Sequence, residues 1–347
     1  MYGRDVLTKI ATDCYVVLST DFFVHDEEDT MSHNVETMAY AGEVPWHGLG
    51  ERVSNDLTPM QMMQKAGVDW RVTKVPTVAM YDGEIIETGT EALIRESDNS
   101  VLAPMVGQNW EPIQNDEAFN FFNEFCLAGD MEMHTAGSLQ DGKYVWVLAK
   151  IKESFDVLGK DQVDNYMLFS NPHIYGKSAN IRMTPVRVVC NNTLNMSMNM
   201  ESVNEAVINH RTKFDAEKAK DTMGLAHEKF SEYKEAANFL ATKRYTQDNL
   251  ITFLNTVFPA ANTKRKVVTE VKDLSTTAKK TLEVMDTQPG AHYAPGTFWN
   301  ALNAVTYMTD HQLGRTADAR MKSAWFGVNQ SRKLKAVNTA LEMAEAA

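Results

Sequence analysis

Residues 166–200 read YMLFSNPHIYGKSANIRMTPVRVVCNNTLNMSMNM, and the organisation of the chain is best derived from this stretch. The apolar run 166–169 predicts a buried strand that ends at the break formed by Asn171 and Pro172. A polar, glycine-containing segment follows, and residues 186–190 predict a second apolar strand. A helix-start signal comes directly after it at residues 191–193. The stretch therefore predicts two strands joined by a polar connection.

This stretch is basic, whereas the chain as a whole is acidic. Residues 165–200 contain no Asp or Glu but include Lys177, Arg182 and Arg187, so they carry +3 in a chain of formal charge −12. The remaining residues therefore carry −15. A local excess of positive charge favours an anionic partner at this position.

Length and composition restrict the class of protein. With 347 residues, 44 % of them hydrophobic and 23 % charged, the chain has the composition of a soluble globular protein of one large or two ordinary domains. Its three cysteines form neither a disulfide framework nor a zinc ligand set, which indicates a reduced, cytoplasmic compartment. No run approaches the roughly 18 apolar residues of a membrane helix. The net charge argues against a protein that coats duplex DNA.

The residues before this stretch predict a hairpin-rich sheet. Asp82-Gly83 and Asp141-Gly142 each separate two strand-like runs, and Asp-Gly is the pair that two-residue type I′ turns favour. The run KYVWVLAKI, residues 143–151, is apolar on both faces and predicts a central strand. Pro104 lies inside another apolar run and predicts an edge position or a bulge, because proline cannot donate to a sheet ladder.

Residues 1–30 differ from the rest of the chain. An apolar stretch at 10–24 is interrupted by Asp13 and Asp21 and ends in HDEEDT, so it makes a poor secretory signal. We expect these residues to be an acidic leader or upstream extension that can be removed without loss of stability. The alternative is an N-terminal strand and loop.

Helices are predicted to dominate after residue 202. Between 216 and 240 the apolar residues recur at spacings of three and four, which is typical of the a and d positions of a coiled coil; they are Ala216, Ala219, Met223, Ala226, Phe230, Tyr233, Ala237 and Leu240. This seam predicts a homo-oligomer, in which charged residues at Phe230 and Tyr233 would give a folded monomer. The alternative is a long helix that packs on its own domain.

A second basic segment lies near the C-terminus. Residues 312–335 carry +5, with one acidic residue, Asp318, against six basic ones: Arg315, Arg320, Lys322, Arg332, Lys333 and Lys335. We regard it as the next place to look for an anion-binding surface if the central stretch is not one.

Established catalytic motifs are absent from the sequence. The glycine-rich nucleotide patterns, HExxH, CxxC and GxSxG do not occur, and no cofactor or metal site is predicted. His173 and Cys190 would suit a base and a nucleophile. Cys190, however, follows two valines and directly precedes a helix start. At such a position a cysteine usually acts as a small buried hydrophobic residue. An enzyme of unrecognised chemistry is therefore the third interpretation, after the two given below.

Several segments together resemble a known family. They are EVPWHGLG (43–50), AGSLQDGKYVWVLAKI (136–151), MTPVRVVCNNTL (183–194), TFWNALNAVTYMTDH (297–311) and SAWFG (323–327). The arrangement is similar to the phage/plasmid-like protein family, a domain of unknown function in bacteriophages and mobile elements. The likeness covers about residues 32–347 and implies no catalytic residue. At the level of fold, a hairpin-rich sheet followed by a helix resembles the single-strand annealing proteins of phage recombination.

We therefore expect an α+β protein: a leader (1–30), an α+β domain with a mainly antiparallel sheet (31–202) and a helical region (203–347). The preferred function is a cytoplasmic phage protein that binds single-stranded DNA, acting in annealing during replication or recombination. Single strands need cations for phosphates and flat or amide side chains for bases; the candidates are Lys177, Arg182, Arg187, His173, Tyr175, Asn180, Asn191 and Asn192. The competing interpretation is a structural or interaction protein, in which Arg187 pairs with an internal carboxylate and the asparagines cap a helix.

Overall fold

A computed structural model describes residues 16–18, 35–42, 50–187, 192–193, 205–211, 213–260 and 268–347. These residues form two β-sheets and a group of helices concentrated towards the C-terminus. The predicted α+β class with mainly antiparallel sheets is confirmed.

The described strands and helices are numbered here in chain order. The strands are β1 (Val16–Leu18), β2 (Val35–Ala41), β3 (Glu51–Val53), β4 (Val72–Tyr81), β5 (Glu84–Arg95), β6 (Val101–Gly107), β7 (Met131–Leu139), β8 (Tyr144–Val157), β9 (Asp161–Pro172), β10 (Ala179–Arg187), β11 (Asn192–Thr193) and β12 (Glu205–Ile208). The α-helices are α1 (Pro59–Lys65), α2 (Asn115–Asn120), α3 (Asn123–Ala128), α4 (Ala216–Thr242), α5 (Gln247–Val257), α6 (Thr276–Val284), α7 (Phe298–Tyr307), α8 (Ala317–Phe326) and α9 (Val328–Glu345).

The larger sheet contains eight strands in the order β11-β10-β9-β8-β7-β2-β3, with β12 also paired to β10. The smaller sheet has the order β1-β4-β5-β6. Pairing is parallel in β1–β4 and β2–β3 and antiparallel in the other pairs. The run 166–169 lies in β9, which pairs with β10. Of the second predicted strand, residues 186–187 lie in β10 and residues 188–190 lie outside the described part. Strand β10 begins earlier than predicted, at Ala179, within the segment predicted to be a polar connection.

Both predicted Asp-Gly turns join neighbouring strands. Asp82 and Gly83 have φ of 49° and 79°, and Asp141 and Gly142 have φ of 56° and 81°. A type I′ turn needs positive φ at both central residues, a conformation that aspartate tolerates and glycine adopts freely. These two turns connect β4 to β5 and β7 to β8.

Strand β8 lies between β7 and β9, as its apolar faces predicted. On one face, Ala149, Met167 and Met183 belong to a hydrophobic cluster shared with the helices, which extends from Ala39 to Ala344. On the other face, Trp146 and Leu168 pack with residues of α8. Residues of the predicted α+β domain and of the predicted helical region therefore contribute to the same core.

The second half of the α4 seam packs inside this core. Phe230 and Tyr233 are each 2 % exposed, and the Phe230 ring centroid lies 5.2 Å from that of Phe155 on β8. The positions of these two residues agree with the alternative interpretation, in which the helix packs on its own domain. Homo-oligomerisation stays a prediction, but charged residues at Phe230 and Tyr233 would disrupt the core and would not release a folded monomer.

Edge strands close the smaller sheet. Pro104 lies in β6, whose one neighbour among the described strands is β5, so the edge position predicted from the proline is confirmed. At the other end, Val16–Leu18 pairs with residues 77–79 of β4. The leader therefore contributes a three-residue strand, while its other residues lie outside the described part.

None of the described helices combines the length and apolar character needed to cross a membrane.

Candidate nucleic-acid interface

The candidate site lies at the end of the larger sheet where β8 begins, β9 ends and β10 begins. The His173 N–H donates to the Lys143 carbonyl oxygen over 2.8 Å, and Tyr144 is opposite Pro172 in the β8–β9 register. This pairing places the first residues of β8 directly beside the connection from β9 to β10. The polar part of the 166–200 stretch is therefore next to the Asp141-Gly142 turn.

Three lysines from separate parts of the sequence meet at this end: Lys143, Lys177 and Lys322, here called the lysine cluster. Lys322 is on α8, and its ammonium nitrogen lies 5.7 Å from the centroid of the Tyr144 ring. Burial lowers the pKa of Lys322, and the positive charges of Lys177 and Lys143 lower it further. Among the described residues, no carboxylate forms an ion pair with these three ammonium groups. The lysine cluster is therefore a local concentration of positive charge.

Two tyrosines accompany these cations. Tyr175 is 69 % exposed in the connection between β9 and β10, two residues before the exposed Lys177. Tyr144 is half-buried, and burial raises the pKa of its hydroxyl. An exposed ring next to cations is the arrangement that proteins use to stack a base while they bind its phosphates.

His173 was a sequence candidate, but it is fully buried and is not part of this surface. Its Nε2 lies 3.0 Å from Oδ1 of the buried Asn115, and its ring is 5.5 Å from that of Trp70. Burial, aided by the nearby His210, lowers its pKa to about 3, so the imidazole is neutral at physiological pH. His173 therefore acts as a core residue and cannot contact a base or a phosphate in this conformation.

Arg182 was also a sequence candidate, but it is half-buried on β10. Its guanidinium donates to the Trp325 carbonyl oxygen in the last turn of α8. Helix C-terminal carbonyl groups lack intrahelical partners and attract cations, so this contact holds α8 on the sheet. Asn180, also half-buried, is opposite Ser170 and Val207 in the sheet ladder. Neither residue extends from the surface as Lys177 does.

The remaining candidates fall at the limit of the described residues. The Arg187 backbone is paired with Val163 and Asn192, but the side chains of Arg187 and Asn192 are outside the described part. Asn191 is outside it as well, and so is Cys190, the candidate nucleophile that was considered together with His173. Their predicted roles stay predictions.

The basic residues of the C-terminal segment 312–335 lie in different environments in the structure. Lys322 joins the lysine cluster, whereas Lys333 is 1 % exposed and pairs with Asp310 over 2.8 Å. Arg320 donates to the Gly314 carbonyl oxygen, and Arg332 donates to the Asn329 side chain. Lys143 was not a sequence candidate; its position directly after the Asp141-Gly142 turn was the signal that could have identified it.

Comparison with protein families gives one match. A family model described as a domain of unknown function, DUF932, matches residues 104–325. The chain belongs to the DUF932 family. The matched residues include Lys143, Lys177 and Lys322, so the lysine cluster lies within the DUF932 domain. No curated protein and no solved structure matches this DUF932 chain.

Proposed function

We propose that this DUF932 protein binds single-stranded DNA through the lysine cluster and Tyr175. The observation that supports the proposal is the convergence of Lys143, Lys177 and Lys322 beside Tyr144, in a chain of formal charge −12. Like charges repel, so bringing three ammonium groups together, none of them paired with a carboxylate of the described residues, costs free energy that an anionic ligand would recover. Tyr175 adds an exposed ring on which a base can stack.

A single strand suits this surface better than a duplex does. Duplex binding without sequence preference requires many phosphate contacts, whereas the lysine cluster provides about three. A flexible strand can place successive phosphates at the cluster and turn a base towards Tyr175, which a base-paired duplex cannot do without unstacking.

Labelled oligonucleotides test the proposal at two or more salt concentrations. Lys177→Ala and Lys322→Ala should each weaken binding and reduce the slope of log K against log salt by about 0.7, the value expected for one phosphate on a single strand. The matched control is Lys280→Ala, because Lys280 is an exposed lysine on α6 outside the cluster. It should leave both the affinity and the slope unchanged.

Two results would contradict the proposal. One is that the double variant Lys177→Ala/Lys322→Ala retains the affinity and salt slope of the wild type. The other is that the wild type binds no oligonucleotide at low salt, which would favour a structural or interaction protein. Melting curves of each variant show whether a loss of binding reflects a loss of folding.

A role in annealing extends this proposal. The protein would hold complementary strands during phage replication or recombination in the host cytoplasm, acting as a homo-oligomer. Two complementary strands carrying a donor and an acceptor dye should then pair faster with the wild type than with the double lysine variant. Equal rates for the two proteins would limit the function to binding.

A further inference from the structure

A cavity of about 290 Å³ opens on the same face of the larger sheet as α8, away from the lysine cluster. Lys150 lies six residues further along β8 than Tyr144, which corresponds to about 20 Å at 3.4 Å per residue. Its polar lining comes from three adjacent strands and a nearby turn: Glu132 and His134 on β7, Lys150 on β8, Asp164 and Tyr166 on β9, and Asn55. We call it the His134 cavity.

Two β-bulges shape the His134 cavity. The β7–β8 register shifts between Met133 and Thr135, so His134 is an additional residue without a partner on β8. The β8–β9 register shifts between Ile151 and Ser154, directly after Lys150. Bulges redirect side chains and are over-represented beside active sites. Here they bring the histidine and the lysine to one opening.

An ion pair between the partly exposed Lys150 and the buried Asp164 forms one wall of the cavity. The Lys150 ammonium lies 2.5 Å from Asp164 Oδ2, and the Gln162 amide donates to Oδ1 of the same carboxylate over 2.9 Å. The Asp164 side chain is 7 % exposed, and Glu132 is opposite Lys150 in the register. Two carboxylates thus accompany one ammonium group, so the charged groups of the wall offer more hydrogen-bond acceptors than donors.

The His134 imidazole has unused hydrogen-bonding capacity. Its ring packs edge to face on Tyr166 with centroids 4.9 Å apart. Burial lowers its pKa to about 4, and the Lys150 charge adds to this effect, so the ring is neutral at physiological pH. Its Nδ1 is buried and has no hydrogen-bond partner among the described residues. Buried polar atoms are normally paired, and one without a partner at a cavity indicates a ligand or an ordered water.

We propose that the His134 cavity holds one nucleobase with a donor-rich edge, namely guanine. The volume is at the lower end of the range of about 300–1,000 Å³ for ligand pockets, which suits a single base. The edge of guanine presents the N1 and N2 donors beside the O6 acceptor, which matches two carboxylates beside one ammonium group. The His134 Nδ1, which has no partner among the described residues, is then available to the ring.

The inference deepens the proposed function by adding a place for one base of the bound strand. About six stacked nucleotides, at 3.4 Å each, separate the lysine cluster from the cavity. A strand whose phosphates contact the lysine cluster could therefore place a base in the cavity. A free nucleoside offers the same chemistry, and the experiments below distinguish the two sources.

The first experiment uses 2′-deoxyguanosine and the full-length protein in titration calorimetry, because a nucleoside has no phosphate to engage the lysine cluster. We expect a dissociation constant of about 0.1–1 mM, which is ordinary for a ligand of this size. Lys150→Met and Glu132→Gln should each weaken binding about tenfold or more, the usual effect of losing a hydrogen bond to a charged group. Glu132 is exposed, so its variant should fold even if the loss of Lys150 disturbs Asp164.

Matched ligands and variants make the test specific. Deoxyinosine lacks the 2-amino donor and should bind several-fold more weakly than deoxyguanosine. Lys280→Ala, at an exposed lysine outside both the cluster and the cavity, should leave nucleoside binding unchanged. No measurable binding of deoxyguanosine, or binding that survives both Lys150→Met and Glu132→Gln, would overturn the cavity proposal.

The second experiment identifies the source of the base. An oligothymidine with one guanine should bind more tightly than the same strand with an abasic site there, and Glu132→Gln should abolish the difference. If nucleoside binding is confirmed but the two strands bind alike, the cavity takes free nucleosides and its role in strand binding is overturned. Failure of the proposed function appears separately, as the absence of any lysine-dependent oligonucleotide binding.

Discussion

The Lys333 ammonium lies 2.8 Å from the Asp310 carboxylate, and each side chain is 1 % exposed. Burial lowers the pKa of Lys333, whereas the Asp310 charge and hydrogen bond oppose that change. A buried charge of this kind is tolerated only because a partner compensates for its lost hydration. The pair links α9 to the π-helical turn Met308–Gln312, and thereby helps to fix the C-terminal helices on the core.

Lys333→Met should lower the free energy of unfolding by about 3–5 kcal/mol, because it removes the ammonium partner of the buried Asp310 carboxylate. Chemical denaturation measures this loss. Lys335→Met is the matched control, since Lys335 is exposed on the same helix and should change stability by less than about 0.5 kcal/mol. The double variant Lys333→Met/Asp310→Leu should recover much of the loss; equal destabilisation by the single and double variants would contradict this account.

Sequence patterns predicted the exposure of some of these residues but not the burial of others. Lys177 and Tyr175 were predictable, because a polar connection between two strands lies at the surface. The burial of Lys333 and His173 was not, since each depends on a partner distant in sequence, Asp310 and Asn115 respectively. A basic segment therefore indicates an average charge, whereas the fold decides which cations face the solvent.

At the scale of elements, local chemistry predicted more than long-range pairing. The Asp-Gly turns, the central β8 strand and the edge position of Pro104 all follow from rules that act within a few residues. The order of strands in the two sheets and the bulge at His134 depend on pairings between separate parts of the chain. For that reason, no short sequence pattern indicated the His134 cavity.

The α4 helix is a second case in which a local pattern did not predict a long-range contact. Its apolar period predicted that one side is buried, and the described seam residues from Phe230 to Leu240 are buried. Periodicity does not identify, however, what covers that side. In the structure, Phe230 and Tyr233 pack against Phe155 with centroid distances of 5.2 and 6.3 Å. The covering surface at these residues is the sheet of the same chain.

Phe230→Ala should therefore destabilise the protein by about 3–5 kcal/mol, the usual cost of truncating a buried phenylalanine. Chemical denaturation gives the loss, and light scattering of the variant under native conditions gives its mass. The exposed Lys234 on the same helix supplies the control, Lys234→Ala, which should leave stability nearly unchanged. A Phe230 variant that stays fully stable while its mass falls would show that the seam is an intersubunit contact after all.

At the scale of the whole molecule, sheet and helices share one hydrophobic cluster, and several histidines are enclosed near it. Burial lowers the pKa of His173 to about 3 and that of His134 to about 4, and it also lowers the pKa of His210. The environments differ: His173 faces Asn115 and His210, whereas His134 is influenced by Lys150 and Asp164. All three imidazoles are thus neutral in the folded protein at physiological pH.

These histidines predict that the protein loses stability in mild acid. The unfolded chain takes up protons near pH 6.5, while folded His134 and His173 remain neutral to about pH 4 and pH 3. Between pH 6.5 and pH 4 the unfolded state therefore binds more protons, so stability falls as the pH falls. Each histidine contributes a slope of up to about 1.4 kcal/mol per pH unit, and two together remove much of an ordinary folding free energy by about pH 4.

Melting temperatures from pH 8 to pH 4.5 measure this effect. They should be nearly constant above about pH 7 and decline below about pH 6.5. His173→Gln removes one titrating group: its melting temperature should be lower at pH 8, because a core contact changes, but should decline less steeply in acid. The onset separates this mechanism from the titration of carboxylates, whose ordinary pKa values lie near 4. A wild-type melting temperature that stays flat to pH 5 would mean that the buried histidines become protonated without unfolding.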